Sequence, residues 1–362
     1  MSITTSTAAN VSAPEAPRAF TEFTLAEARA WCTSQGWPAY RADQLWQALY
    51  RHAITDYQAI TAVPAPLRAQ LVTLLPLCSS AVSAVATSAD GSEKRVLKLA
   101  DGETVESVWI PMGAHATVCV SSQVGCPIGC RFCASGMDGV ARNLTAGEIV
   151  EQIVHAARAH PRCEINNVVF MGMGEPLLNW AQVARAIRIM NDPHGLCIGM
   201  RRITVSTVGI PRGILRLAEE LPQVNLAVSL HAADDALRRR LIPRCPCSNE
   251  ELLQALRTYY ALTRRRVTFE YVLLHEVNDR VQDARRLAAL VKTVPCKVNV
   301  IAYNEVPGAP FRTPPARVVH AFVEELCARH VTAVARRRKG GDIAAACGQL
   351  RRTFHSVAMP VA

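Results

Sequence analysis

The chain has no stretch of about 18 or more consecutive apolar residues, so no segment reads as a membrane-spanning helix. Its first residues lack a basic patch leading into an apolar core, so no secretory leader is expected. Both absences make a cytoplasmic protein with no membrane partner the expectation. Lysine is also scarce. The 40 basic residues, set against 30 acidic ones, are nearly all arginine, a bias that genome composition alone can produce. Arg238-Arg239-Arg240 and Arg264-Arg265-Arg266 are therefore expected to be solvated helix ends. The net charge of +10 nevertheless suits a polyanionic partner, and Arg336-Arg337-Arg338-Lys339 is the run placed best to meet a phosphate backbone. Nothing in the sequence suggests an oligomer, and a monomer is expected.

Cysteine is plentiful, at 13 residues, but a chain of 362 residues without a leader is a poor setting for a disulfide framework. Cys32, Cys78, Cys163, Cys197, Cys296 and Cys327 stand singly in apolar surroundings and are expected to be buried. Cys245-Pro246-Cys247 has no partner pair and reads as loop. The informative group is Cys126, Cys130 and Cys133, in a C-x3-C-x2-C spacing with Gly125, Pro127 and Gly129 among them. What this group lacks is a fourth ligand close by. A zinc knuckle needs one, and the nearest candidates, Cys119 and His115, precede the run without a second pair. A cubane iron-sulfur cluster held by three cysteines instead leaves one iron open to another ligand. Zinc and a chance grouping of three buried thiols remain as alternatives.

Half of the residues are hydrophobic, enough for one large domain with appendages. Residues 1–19, rich in Ser, Thr, Ala and Pro, read as a disordered lead. From 20 to 76 the pattern is helical. Thr24 and Glu27 form a capping box ahead of Leu25, Ala28 and Trp31, a second helix spans Arg41–Arg51 and a third Pro64–Leu75. The tryptophans at helical spacing favour core over contact. Residues 77–115 alternate as short strands with turns at Asp90-Gly91 and Asp101-Gly102. From 116 to 336 a strand, a loop and an amphipathic helix recur, with strands expected at 117–121, 167–171, 202–206, 225–230, 267–274, 297–302 and 331–335. Helical stretches such as 145–159 and 279–291 separate them. Such alternation is the pattern of an α/β fold with a parallel sheet curled into a complete or partial barrel, whose chemistry sits at the C-terminal strand ends. Residues 337–362 form a separate C-terminal segment.

Polar residues gather at those ends. The second strand runs into Gly172-Met173-Gly174-Glu175-Pro176, where small residues let the backbone approach a ligand and Glu175 adds a carboxylate. Ser206, Ser229-Leu230-His231 and Asn304 close the following strands. Singly each is more often a helix cap or a satisfied core group; successive placement argues for a shared site.

The cysteine spacing resembles the signature of radical S-adenosylmethionine enzymes. With the flanking Cys119-Val120-Ser121-Ser122-Gln123-Val124 and the distant Ala346-Cys347-Gly348-Gln349-Leu350, it is similar to the RlmN/Cfr family of RNA adenosine methyltransferases, over about residues 20–352. The resemblance implies a partial (βα)6-type radical S-adenosylmethionine barrel, with an N-terminal helical accessory domain that helps bind RNA. It implies a [4Fe–4S] cluster on Cys126, Cys130 and Cys133, and two S-adenosylmethionine molecules per turnover. Nucleotide binding falls to Gly174, Glu175, Ser206, Ser229, Leu230, His231 and Asn304.

Such an enzyme meets a chemical obstacle: a ring carbon of adenine is electron-poor, and methyl transfer to a nucleophile fails there. The resemblance implies that Cys347 first takes a methyl group as thiolate. A 5′-deoxyadenosyl radical then removes hydrogen from the S-methyl group, and the methylene radical adds to the ring. Cys119 is implied as the thiol that releases the product by forming a disulfide with Cys347, and Glu106 as the base that takes the ring proton. The implied substrate is carbon 2 of an adenosine in 23S rRNA, with tRNA as a second substrate class and an electron donor such as flavodoxin. Pro176 and Val306-Pro307-Gly308-Ala309-Pro310-Phe311 favour carbon 2, while Ala134-Ser135-Gly136 suits carbon 8 about equally. The chain departs from the family pattern at Arg338, at Lys339, which cannot reproduce a bidentate guanidinium contact, and at Glu305. The alternatives are carbon-8 methylation, a non-catalytic metal-cluster RNA-binding protein in which Cys347 is an inert packing residue, and a radical enzyme on a small substrate.

Overall fold

The computed structural model describes residues 19–351; the expected disordered lead lies almost wholly outside them, as do the last residues of the C-terminal segment. Three helices come first, α1 (Leu25–Ser34), α2 (Tyr40–His52) and α3 (Ala65–Leu74). The capping box of α1 forms as expected: the Glu27 N–H donates to Thr24 Oγ1 at 3.4 Å and the Thr24 N–H donates to Glu27 Oε2 at 2.8 Å. Trp46 is fully buried, with Tyr50 edge-on to it at 4.6 Å between ring centroids. The aromatic stripe of α2 is therefore core, and it joins one continuous hydrophobic cluster that includes the main sheet.

An antiparallel set follows, β1 (Ala81–Thr87), β2 (Glu93–Lys98) and β3 (Thr104–Met112), turning at Gly91 and Gly102, both with positive φ. β4 (His115–Cys119) pairs antiparallel with β3 and begins the parallel part of the same sheet. A short antiparallel ribbon, β5 (Gln123–Gly125) with β6 (Val140–Asn143), brackets the three-cysteine loop. Then come α4 (Ala146–Ala159), β7 (Glu164–Phe170), α5 (Trp180–Asn191), β8 (Ile203–Thr207), α6 (Pro211–Glu220), β9 (Asn225–Ser229), α7 (Asp235–Leu241), α8 (Asn249–Thr263), β10 (Val267–Leu273), α9 (Val281–Val291), β11 (Cys296–Ala302), α10 (Ala316–Ala328) and β12 (Ala333–Ala335).

The strand order is β1-β2-β3-β4-β7-β8-β9-β10-β11-β12, with β4 and every strand after it in that order parallel. Six strand–helix units thus form a partial barrel, open between its two edge strands, and β1–β3 extend its sheet. All parallel strands deliver their C-terminal ends to the same side. There a second, smaller hydrophobic cluster, including Ile128, Phe132, Val208, Leu274 and Tyr303, packs beneath the three cysteines.

Candidate active site

The cysteine loop is shaped by glycines, and at Gly125 no other residue fits without movement of its neighbours. Gly125 has φ +80°, and a Cβ there would lie 2.0 Å from Gly139 O, while the Cys126 N–H donates to that same carbonyl at 2.8 Å. Cys126, Cys130 and Cys133 all line one cavity of about 160 Å³. Burial pushes the Cys126 thiol up to about 12 and raises Cys130 and Cys133 as well, with the neighbouring sulfurs adding to the first two. Three thiolates so placed require a cation to form. The sulfurs do not all fall within 4.8 Å of one another. A single tetrahedral zinc would hold its thiolates about 3.8 Å apart, from Zn–S bonds of about 2.3 Å. Three thiols on a wider spacing fit a cubane cluster, whose fourth corner they leave open.

The same cavity is lined by Gly174, Glu175, Ser206, Ser229, His231 and Asn304, so the ends of β7, β8, β9 and β11 converge on it. Glu175 is buried, its Oε2 accepting from the Val208 N–H at 2.8 Å and its Oε1 from the Leu177 N–H at 3.1 Å. Burial still outweighs those bonds and lifts its carboxyl to about 7. His231 sits at φ +58°, and its Nδ1 accepts from the Val272 N–H at 3.0 Å. Burial pulls its pKa down to about 3. The ring is therefore neutral, with its proton on Nε2.

Leu230 is the exception. Its side chain is in the main core, and its N–H and C=O already bond Glu270 O at 3.1 Å and the Ala232 N–H at 2.8 Å. The glycines, which line this cavity, have a packing reason besides the expected one. A Cβ on Gly172 would meet Ser121 Oγ at 2.7 Å, and one on Gly174 would meet Ser122 Oγ at 2.7 Å. Both glycines are required by close packing of the β7 end against the chain leaving β4.

The C-terminal segment lies across the mouth of the barrel and is pinned on three sides. Asp342 accepts from Ser88 Oγ at 2.6 Å and the Ala89 N–H at 3.0 Å, and the Gly340 N–H donates to Asp90 Oδ2 at 3.1 Å, all in the β1–β2 turn. The Ala134 N–H donates to Gly348 O at 2.7 Å and Ser135 Oγ to Leu350 O at 2.6 Å, in the cysteine loop. Asn304 Nδ2 donates to Cys347 O at 3.1 Å, and Gln349 Nε2 to Glu305 O at 2.9 Å.

Cys347, thus held and exposed, lines both the cysteine-loop cavity and a larger one of about 610 Å³ on the inner face of the sheet. Cys119 lines the larger cavity, and burial, with the Cys347 sulfur adding, pushes its thiol up to about 12. Glu106 is on the same face of β3 as Val108 and Ile110, which line that cavity. Its Oε1 is 3.0 Å from Lys94 Nζ, and its Oε2 accepts from the Arg351 N–H at 2.9 Å. Burial raises the Glu106 carboxyl despite Lys94.

A model of the radical SAM superfamily matches residues 120–288. A protein of Gloeobacter violaceus named a probable dual-specificity RNA methyltransferase RlmN is 48% identical over 327 residues, covering 90% of this chain and 93% of its own. The dual-specificity RNA methyltransferase RlmN of Pelobacter propionicus is 44% identical over 340 residues, covering 93% and 96%. The chain belongs to the RlmN family. A crystal structure of a radical SAM methyltransferase from Sphaerobacter thermophilus aligns with a TM-score of 0.89 at 45% identity, covering 92% of this chain and 99% of that one. Enzymes of the RlmN type use a [4Fe–4S] cluster and S-adenosylmethionine.

Several sequence expectations need correction within this RlmN-family fold. All thirteen cysteines are free thiols, so no disulfide joins Cys119 to Cys347. Of the six cysteines expected to be buried, Cys32 is; Cys197 and Cys327 are exposed. Cys78 packs against the core and also lies beside Glu151 and His155. Arg238 is no solvated helix end. It is fully buried, donating to Val208 O at 2.7 Å and Cys247 O at 3.1 Å. Lys339 stands 3.9 Å from Asp90.

Sequence reasoning also missed Arg336, which it grouped with an RNA-facing run. Its guanidinium lines both cavities, 3.8 Å from Glu270 Oε2 and 3.6 Å from Met171 Sδ. The Cys347 sulfur is the main reason its pKa rises. Only its offset from Cys347 in sequence could have separated it from its basic neighbours.

Proposed function

We propose that this RlmN-family chain methylates carbon 2 of an adenosine in 23S rRNA and in tRNA, with Cys347 carrying the carbon. The observation that carries this reading is the placement of Cys347 on both cavities, one holding the three-cysteine loop and one holding Cys119 and room for a nucleotide. Cys126, Cys130 and Cys133 would hold the cluster, which when bound supplies the electron that cleaves S-adenosylmethionine reductively to a 5′-deoxyadenosyl radical. Glu175, Ser206, Ser229, His231 and Asn304 surround the nucleotide, and the Glu175 carboxylate suits its ammonium group.

Cys347 accepts a methyl group on sulfur, a step that needs the thiolate, beside which the Arg336 guanidinium sits. After loss of one hydrogen atom the carbon bonds to the adenine ring, and the adduct gives up its unpaired electron to the redox system that supplied the first, leaving protein and RNA joined through that sulfur. Cys119 attacks the Cys347 sulfur; the carbon–sulfur bond breaks, a disulfide forms, and the electron pair passes to the departing carbon, which takes a proton as Glu106 removes the ring proton. That disulfide belongs to turnover and needs reduction before the next cycle. The reading further includes an electron donor of the flavodoxin type, a monomeric enzyme and a cytoplasmic setting; no helix among the described residues is long and apolar enough to cross a membrane.

The test is anaerobic incubation of the reconstituted protein with reductant, methyl-labelled S-adenosylmethionine and protein-free rRNA or tRNA, followed by nucleoside mass spectrometry. Labelled 2-methyladenosine that disappears in Cys347→Ala is the expected result. The 8-methyl isomer would contradict the position, and label absent from both RNAs would contradict the reading.

A further inference from the structure

The cavity of about 610 Å³ that holds Cys119 and Cys347 runs along the inner face of the sheet to Arg202, just before β8. Arg202 also lines another cavity, of about 1060 Å³, at the N-terminal ends of β4, β7 and β8. Its cationic lining comes from separate elements: Arg51 at the end of α2, Arg158 at the end of α4, Arg162 in the loop that follows, and Arg202, with His52 beside Arg51. Glu164 is its one acidic lining residue, and His115 Nδ1 stands 3.4 Å from that carboxylate. Arg51, Arg158, Arg162 and Arg202 form no ion pair among the described residues; Arg158 has only a hydroxyl partner, Thr55 Oγ1, at 2.7 Å. Helix C-termini account for Arg51, His52 and Arg158, but not for Arg162 or Arg202.

Arg158 in turn reaches a third cavity, of about 690 Å³, whose wall includes Arg95. Arg95 is 2% exposed, and although Glu93 and His160 both meet its Nη2, its Nη1 has no hydrogen-bond partner among the described residues. A buried guanidinium nitrogen without a partner is costly unless a ligand or ordered water satisfies it.

We propose that Arg202, Arg162, Arg158 and Arg95 mark a track for the phosphodiester backbone of the substrate RNA, leading from the catalytic cavity to the opposite end of the barrel. The inference rests on the RNA methyltransferase reading. Arg202 precedes Ser206 by four residue steps along β8, about 13 Å of strand, which is about four nucleotides of one duplex strand at roughly 3.4 Å each. The track therefore serves RNA flanking the target nucleotide and has no part in holding that nucleotide.

The test compares Arg158→Ala/Arg162→Ala with wild type on full-length RNA and on a short stem-loop containing the target adenosine, in binding without S-adenosylmethionine and in turnover. The track predicts a KM for full-length RNA raised about fivefold or more, an unchanged kcat and an unchanged stem-loop KM. Two lost phosphate contacts should also make the slope of log affinity against log salt shallower by about 1 to 2. Arg158→Lys/Arg162→Lys should restore both. An unchanged salt slope and KM on full-length RNA, or equal losses on both RNAs, would overturn the track. Binding that follows the predicted slopes while wild type methylates neither RNA would retain the track and sink the methyltransferase reading instead.

Discussion

The backbone N–H of Ala134, the residue after the third cysteine of the loop, donates to the carbonyl oxygen of Gly348, the residue after Cys347, at 2.7 Å. This bond ties the segment that carries the sulfur to the cysteine loop through backbone atoms. The opposite end of the segment depends on side chains, and there mutation can separate the two functions.

Asp342→Ala removes the bonds from Ser88 Oγ and the Ala89 N–H while leaving the cysteine loop untouched. Methyl transfer to RNA should fall about tenfold, a barrier change of roughly 1.4 kcal/mol. Cluster absorbance and S-adenosylmethionine affinity should stay at wild-type values. A parallel loss of the cluster would show that the pin acts on the whole fold.

Gly125 and Gly129 both have positive φ, yet only at Gly125 would a Cβ strike backbone, at 2.0 Å from Gly139 O; Gly129 has nothing within 4 Å. Gly129→Ala should cost about 1–2 kcal/mol from conformation alone. Gly125→Ala must also move the β5–β6 ribbon, and should fail to retain the cluster under conditions in which Gly129→Ala keeps it. Iron and sulfide content per chain, read beside thermal unfolding, tells the two apart.

Glu175, with its carboxyl lifted to about 7 by burial, is protonated below that pH and loses its attraction for the ammonium group of S-adenosylmethionine. Affinity should therefore decline as pH drops below 7, by up to about tenfold per unit. Glu175→Gln should bind more weakly at pH 8 and show little pH dependence. A flat wild-type profile between pH 5.5 and 8 would remove Glu175 from the ammonium site.

Product release combines two groups whose titration points the same way. Cys119 must become a thiolate from a pKa pushed up to about 12, and Glu106, raised by burial, must be ionised to take a proton. Both requirements are met better as pH rises, so release should accelerate with pH, and the covalent protein–RNA species should build up at low pH. Cys119→Ala should trap that species at every pH. Gel analysis of single-turnover mixtures measures it, and release that slows with rising pH would contradict both assignments.

The architecture was legible in sequence where periodicity is strong. The seven parallel strands from β4 to β12 fall where alternation placed them, and the Thr24 capping box forms at α1. The β5–β6 ribbon was not legible, because strands of three and four residues carry no period and are specified by glycine contacts across the loop. Arginine gave the largest errors. Arg238 and Arg336 each sit in a run that reads as surface charge, and one is buried under carbonyls while the other faces two thiols. Chemistry of this kind depends on contacts distant in sequence, as does the convergence of Cys119 and Cys347 on one cavity.

The most direct measurement uses S-adenosylmethionine whose methyl group carries three deuterium atoms. Passage through the Cys347 sulfur with loss of one hydrogen atom predicts 2-methyladenosine retaining two deuteriums, and 5′-deoxyadenosine that has gained one. Product retaining all three deuteriums would mean direct transfer of an intact methyl group, and would contradict the role assigned to Cys347.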